Sequence, residues 1–410
     1  MAGRAARPSQ GTHSLNWHLL NLATESDRNE ALALSKLALN SSRLGARAFD
    51  MTWRSGSIND PSSLRVFVLR REATPVGLAV FSVHSKALAL RLGEISIANV
   101  SLIRHWHLGD PYLDVTLDSA AATDACRALV SAATSQLGRR ECLFFEGLPV
   151  EGPMRDAIAG SKSNTATLRL DLGDDFEHQF IRMPNSFADY LEQLGSRSRQ
   201  SLLYSRRRLA KDMGDDVRCE CFESEQSIER FVVDATAVSR KTYQWNLLGL
   251  GLRDPEALSN TLRLAARNGW LRSFILYCRQ APVAFMLGSQ HGDCYYYDDV
   301  GYDPDFSKWS VGSVLQLLVL EQLLGRPDKP TTFDFSTGYG EHKGRFGNFS
   351  RRECNLLVLP RTFANVALGH AYRGTDRLSR SAARILANAG LKDRLKRLIR
   401  RGSARNVTPG

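Results

Sequence analysis

The sequence has no hydrophobic run long enough to cross a bilayer. Its most apolar stretch, Val311 to Leu324, is short and carries Gln316, Glu321 and Gln322. The first twenty residues, MAGRAARPSQGTHSLNWHLL, hold no continuous apolar segment, so no secretory signal is expected. A cytoplasmic location follows as the expectation, with peripheral contact at the inner membrane left open. Cysteine is sparse, odd in number and scattered, at positions 126, 142, 219, 221, 278, 294 and 354. The close pair Cys219 and Cys221 shares one face of a strand, but no second pair follows at zinc spacing. Reduced buried thiols and no metal site are therefore expected. Two phosphate-binding signatures are also missing. No Gly-Lys-Ser/Thr completes a P-loop, and Gly338-Tyr339-Gly340 is followed by Glu341, His342 and Lys343 rather than by a third glycine and a helix.

What the chain does contain is ordinary for a soluble globular protein, with 43% hydrophobic and 24% charged residues. A length of 410 residues suggests two or three domains. The net charge of +11 is uneven: residues 361–410 hold 12 basic and 2 acidic side chains, leaving 42 against 41 in residues 1–360. The body is close to neutral, so nucleic acid is not an expected partner despite the basic pI. In the tail, Leu391, Leu395, Leu398 and Ile399 follow helical spacing among lysines and arginines. Such a helix could rest on an anionic membrane surface or an acidic partner, or pack on the body.

Periodicity predicts a helix over Glu25–Asn40, strands over Leu64–Arg71 and Val76–His84, another apolar run over Ala87–Ile97, a helix over Ala120–Leu137 and a strand over Cys142–Glu146. The second half predicts a strand over Val217–Phe222, helices over Glu225–Tyr243 and Pro255–Asn268, and a hairpin from Trp270–Cys278 and Val283–His291. A third strand over Cys294–Val300, a helix over Val311–Leu324, a strand from Thr332 and a last strand over Cys354–Leu359 complete it. Arg65–His84 aligns without a gap on Arg272–His291, with Arg, Phe, Leu, Pro, Val and His coinciding. The repeated order of elements favours an internal duplication. The reading is an α/β protein with a flexible start (1–24), an N-terminal lobe (25–175), a C-terminal lobe (176–360) and a basic helical tail (361–410).

Candidate chemistry concentrates in the second half. Ser310, Gly312 and Ser313 open the helix in SKWSVGSVLQLL, where unpaired N–H groups and the helix dipole could seat a pyrophosphate; a plain N-cap explains the same residues. Just upstream, Tyr297, Asp298 and Asp299 lie on a strand, where an acid or tyrosine could relay a proton from an attacking amine. Strict alternation would put Tyr295, Tyr297 and Asp299 on one face and Tyr296 and Asp298 on the other. Lys343 and Arg345, at the glycine-rich break after TFDFS, could meet an anionic ligand group. Six basic residues and no acid occupy Arg197–Lys211, Arg199 and Arg206 among them, which suggests a phosphate-bearing ligand or an acidic polymer. Trp245 reads as core or as a ligand platform.

Taken together, RSRQSLLYSRRRLAK, RKTYQWNLLG, SVGSVLQLLVLEQLL and FDFSTGYGEHKGRFG resemble the GNAT-type acetyltransferase domain of the CelD/BcsL cellulose-biosynthesis family, whose members carry two GNAT-like halves related in fold to the FemAB peptidyltransferases. The stretch LGDPYLD (Leu108–Asp114) is similar to theirs as well, and the resemblance covers roughly residues 40–350. It implies two GNAT-like lobes, each a mixed, mostly antiparallel sheet flanked by helices. It also implies transfer from acetyl-CoA or another acyl-CoA to an amine or sugar acceptor, without a metal, in exopolysaccharide or cell-envelope biosynthesis. The C-terminal lobe would be catalytic and the N-terminal lobe would help form the acceptor groove. By the resemblance, Lys308, Ser310, Val311, Gly312 and Ser313 correspond to the CoA phosphate site. Backbone N–H groups near Asp298–Gly301 would polarise the thioester, with Tyr297, Asp298, Asp299 and Lys343 as catalytic candidates. Arg199, Arg206, Trp245, Asp334, Tyr339 and Arg345 are the candidate substrate contacts. The phosphate loop departs from the family's usual pattern, with Trp309 at the first position and Val314 at the last, and Lys308 is the candidate for the missing charge. Two alternatives stand beside this reading: a FemAB-like aminoacyltransferase using aminoacyl-tRNA, and a non-catalytic accessory protein of a polysaccharide synthase.

Overall fold

A strand, a helical segment, three antiparallel strands, a helix and a further strand recur in both halves of the chain. The structure, a computed structural model, describes residues 15–40, 63–92, 95–108, 111–113, 117–160, 166–242, 245, 251–336 and 341–388. The first lobe runs β1 (Leu15–Leu19), α1 (Glu25–Asn40), β2 (Leu64–Arg71), β3 (Thr74–Leu92), β4 (Ile95–Leu108), β5 (Tyr112–Leu113), α2 (Ser119–Ser135), β6 (Glu141–Pro149), α3 (Pro153–Gly160) and β7 (Thr167–Asp171). The second runs β8 (Phe176–Arg182), α4 (Phe187–Gln193), α5 (Ser196–Met213), β9 (Val217–Phe222), α6 (Ile228–Lys241) and α7 (Pro255–Arg267). It continues through β10 (Ser273–Cys278), β11 (Ala281–His291), β12 (Cys294–Tyr302), α8 (Val311–Leu324), β13 (Thr332–Asp334), α9 (Glu341–Phe346) and β14 (Phe349–Pro360), and α10 (Phe363–Asn388) follows. Leu15–Leu19, within the segment expected to be flexible, pairs along β2. The amphipathic stretch 391–401 and Tyr339 lie outside the described residues.

The two hairpins that align in sequence share one register. In the first, Phe67 faces Ala79 and Leu69 faces Gly77, the register shifts, and Arg70 faces Pro75. In the second, Phe274 faces Met286 and Leu276 faces Ala284, the register shifts, and Tyr277 faces Pro282. The turns agree at their first residue: Glu72 and Arg279, at equivalent positions, are both left-handed, with φ of 57° and 50°, while Gln280 (φ 68°) is left-handed in the second turn alone. A left-handed turn matches the twist of the strands it joins. A shared irregularity at the same position is less expected of unrelated hairpins than shared hydrophobicity.

The strands join in the order β1-β2-β3-β4-β6-β14-β8-β13-β12-β11-β10-β9, with β5 beside β3 and β7 beside β14. Among these pairs β4–β6 and β12–β13 are parallel and the rest are antiparallel. Each lobe is thus a mixed, mostly antiparallel sheet with helices against it. Strand β14 stitches the lobes together: Phe349–Glu353 pairs with β8, Glu353–Val358 with β6 and Leu356–Pro360 with β7.

Helix α8 is the centre of the second core. Val311, Val314, Leu315, Leu317, Val319, Leu320 and Leu323 are buried against Phe274, Leu276, Tyr295 and Phe333 of the sheet, which explains why its sequence is predominantly apolar. At about 21 Å it is a core helix, and no described helix is long and apolar enough to cross a membrane. The sheet's other face packs Phe222, Ile275 and Phe285 on Phe231 and Val232 of α6. A corresponding core in the first lobe surrounds Phe67, Phe81, Trp106 and Phe145. The seven cysteines form no disulfide, and burial pushes the Cys219 and Cys221 thiols up to about 12.

Gly288 marks a place where the backbone must come close to a ring. A methyl there would meet the Tyr295 hydroxyl, which donates to Arg272 O at 3.0 Å. Gly288→Ala is therefore expected to destabilise the fold by about 2–3 kcal/mol through overpacking, read as a lower midpoint in urea unfolding.

Candidate active site

The sheet opens beside α8. Strands β12 and β13 pair at Cys294–Thr332, Tyr295–Phe333 and Tyr296–Asp334, and there β13 stops while β12 continues to Tyr302. From Tyr297 onward, among the described residues, that edge of β12 has no neighbouring strand. Two local features part the strands. On the far side of β12 the register with β11 jumps from Leu287–Asp299 to Gly288–Tyr297, which leaves Asp298 as the extra residue of a β-bulge. After β13, Ser336 takes a left-handed φ of 59° and turns the chain away. Its hydroxyl donates to Tyr297 O at 2.6 Å, covering one carbonyl at the point of parting. In the first lobe, by contrast, β4 and β6 stay paired to the last residue of β4, Leu108.

Lys343, on the short helix α9, reaches this opening. It is buried, and its Nζ donates to Ser336 O at 3.1 Å. Burial lowers its pKa below the usual lysine value, against the opposing pull of Asp334. Asp334, at the end of β13, accepts at Oδ1 from Ser336 N at 2.7 Å and from His178 Nε2 at 2.7 Å. His178 on β8 contacts Glu353 Oε2 through Nδ1 at 2.9 Å, and Arg351 donates to the other oxygen, Oε1, at 2.6 Å. The imidazole stacks on Phe180, with ring centroids 4.1 Å apart. Burial would strip His178 of its proton, but hydrogen bonds to Asp334 and Glu353 and their charges outweigh it and hold the pKa at about 9.

The strand candidates divide at the bulge. Tyr297 is buried against Phe333 and Phe335, and burial raises its pKa. Asp298 is exposed, with Ser289 Oγ 3.4 Å from its Oδ2. Asp299 is half-buried and accepts from Val300 N at 2.8 Å; burial raises its pKa, the Val300 contact opposes this, and the Asp298 charge adds to it. The bulge also alters the alternation expected here, because it inserts Asp298 between residues that face successive positions on β11.

At the start of α8, Ser310 is left-handed, with φ of 54°, and caps no N–H with its side chain. Gly312 lies against the end of β12: a methyl on it would stand 3.3 Å from Tyr302 Cδ1. Val311 is buried and Ser313 is half-buried. The Lys308 ammonium sits 3.9 Å from the centre of the Trp309 ring, and Arg208 Nη1 donates to Lys308 O at 3.2 Å. Arg208 and Lys308 thus meet at the residues that lead into α8.

Other candidates are engaged with protein partners. Arg206 pairs with Glu321 of α8 at 2.9 Å, so it ties α5 to the core helix. Arg345 Nη2 donates to Ser201 Oγ at 2.9 Å, which holds α9 on α5. Arg199 is half-buried on α5. Half-buried Trp245 stacks with the Arg253 guanidinium at 4.4 Å. His178, Ser336 and Glu353 were not among the sequence candidates. His178 meets partners 156 and 175 positions away, a separation at which no local pattern signals contact.

Residues 196–344 match the family model described as an acetyltransferase (GNAT) domain. The segment begins at α5 and ends in α9, so it contains the parted strands, α8 and Lys343. Match and geometry point the same way: this part of the chain is similar to a GNAT-type domain. Among solved structures, FemX is similar over 74% of this chain and 90% of its own, with a TM-score of 0.52 at 12% identity, a likeness of fold. The C-terminal domain (DUF2156) of a putative lysylphosphatidylglycerol synthetase from Agrobacterium fabrum covers 84% of this chain and 96% of its own, with a TM-score of 0.49 at 12% identity. A tandem GNAT protein from the clavulanic acid biosynthesis pathway covers 85% and 98%, with a TM-score of 0.46 at 12% identity. Comparison with curated proteins gives no match.

Proposed function

We propose that the protein transfers an acyl group from acetyl-CoA or a longer acyl-CoA to an amine or sugar hydroxyl, at the opening between β12 and β13. The acceptor would belong to exopolysaccharide or cell-envelope assembly, the setting suggested by the sequence resemblance. The observation that carries the reading is the parting of the strands after Tyr296 and Asp334, next to a buried lysine of lowered pKa. Main-chain groups of β12 beyond Tyr296 hold the thioester carbonyl where negative charge develops. The cations of Lys308 and Arg208, with the first turn of α8, hold the phosphates. Asp298 and Asp299 orient the acceptor. Lys343, as the neutral amine, takes the proton that the acceptor loses as its bond to the acyl carbon forms. As the carbon–sulfur bond breaks, Lys343 returns that proton to the departing thiolate, so no further reactant is needed.

Titration calorimetry with acetyl-CoA and longer acyl-CoAs tests the donor, and thiol release with amine and sugar acceptors tests the reaction. Micromolar binding and acceptor-dependent thiol release are expected; a folded protein that binds none of these donors refutes the reading. A second reading, with aminoacyl-tRNA as donor, is favoured by the solvent face of α5, where Arg197, Tyr204, Arg207 and Lys211 are exposed. Filter binding of charged tRNA, competed by acyl-CoA, separates the two.

A further inference from the structure

A chain of contacts runs from the seam between the lobes to the opening: Arg351, Glu353, His178, Asp334, Ser336 and Lys343. Its links are 2.6 Å, 2.9 Å, 2.7 Å, 2.7 Å and 3.1 Å long. The members come from β8, β13 and the turn after it, α9 and β14, the last being the strand shared by both lobes. His178 and Glu353 are 5% and 1% exposed, so water does little to screen them. Two carboxylates, Asp334 and Glu353, are matched by two cations, Arg351 and His178. Lys343 stands at the end of an array that is neutral without it.

We propose that His178 is a positioning residue for Lys343: as an imidazolium clamped between Asp334 and Glu353, it balances the charge that Asp334 would otherwise present to Lys343 and fixes the Ser336 turn on which that side chain rests. The assignment of Lys343 as proton carrier rests on the transferase reading above, but the electrostatic role of His178 does not. The groups facing the imidazole are Asp334 from β13, Glu353 and Arg351 from β14, and the Phe180 ring of its own strand. Among the described residues, Asp334 and the Ser336 carbonyl face the Lys343 amine. Removing the His178 charge leaves one carboxylate unbalanced next to Lys343. The ammonium is then stabilised, and less of the neutral amine is present at neutral pH. Burial otherwise keeps the Lys343 pKa low, and the charge on His178 preserves that effect.

Competitive labelling of the whole protein with acetic anhydride across pH, read by mass spectrometry at each lysine, measures the titration of Lys343 without any substrate. In His178→Gln, which keeps hydrogen-bonding capacity but not charge, the Lys343 midpoint is expected to rise by about one pH unit, roughly a tenfold loss of neutral amine. Lys211 and Lys329, which have no contact with the array's members, serve as labelling references. In Asp334→Asn the Lys343 midpoint is expected to move down instead. A Lys343 midpoint unchanged in folded His178→Gln overturns the proposal. Should that variant fail to fold, an unchanged or raised midpoint in Asp334→Asn overturns it. Absence of thiol release by the wild type would sink the transferase reading alone, because the labelling experiment does not depend on it.

Discussion

Replacing Lys343 by alanine is expected to lower turnover by about 10²- to 10⁴-fold, the range that a positioned proton carrier supplies. The KM for the acyl donor should change little, because the proposed donor contacts lie on β12, at Lys308 and Arg208 and at the start of α8. Lys343→Met separates chemistry from packing, since it keeps the buried stem and removes the amine. If Lys343 works as the neutral amine, the wild-type rate rises with pH through its depressed pKa, and that limb disappears in the methionine variant. Steady-state kinetics from pH 6 to 10, with thermal unfolding of each variant as control, checks both points. A methionine variant that keeps wild-type turnover would remove Lys343 from the chemistry and leave the glycine-rich loop as a turn.

His178→Ala is expected to be among the most destabilising single substitutions, at about 3–5 kcal/mol. It strands Glu353, which is 1% exposed, with its charge only partly matched by Arg351. The pH dependence of that stability has a definite sign. The folded-state pKa is raised from 6.5 to about 9, so the folded protein binds the proton more tightly than the unfolded chain. The stabilisation is complete below about pH 6.5 and is lost as pH rises through 9. The shift corresponds to about 3 kcal/mol. Urea unfolding at pH 6.5 and 9.5 should show the difference between wild type and His178→Gln shrinking by roughly that amount. A difference that does not change with pH would mean that His178 is neutral in the fold.

Much of the architecture was legible in the residues because it depends on short-range patterns. The Val311–Leu324 run was expected to be helical and is α8 with those bounds; the alternating Val217–Phe222 is β9 with those bounds. Leu64–Arg71 likewise matches β2. Other elements shifted at their ends. The third strand of the hairpin region runs on to Tyr302, and Glu225–Tyr243 splits into a 3₁₀ turn and α6. The hairpin alignment was visible as six coinciding residues, while the common register shift that makes it persuasive is a property of pairing and needed three dimensions.

The candidate site divides along the same line. Sequence alone was enough to single out Gly312, Asp299 and Lys343, because glycine at a helix start, acids at a strand end and a lysine among glycines are local anomalies. It could not say which charges are spent. Arg206 and Arg345 look like free cations in a basic helix and a glycine-rich loop, yet Glu321 and Ser201 take them. Nor could it show the bulge at Asp298, since strict alternation is the default for any strand until its partner's register is known. The buried array of Asp334, His178 and Glu353 belongs to tertiary structure alone. Its charge states follow from burial and from contacts between β8, β13 and β14, strands far apart in sequence that only the folded sheet brings together.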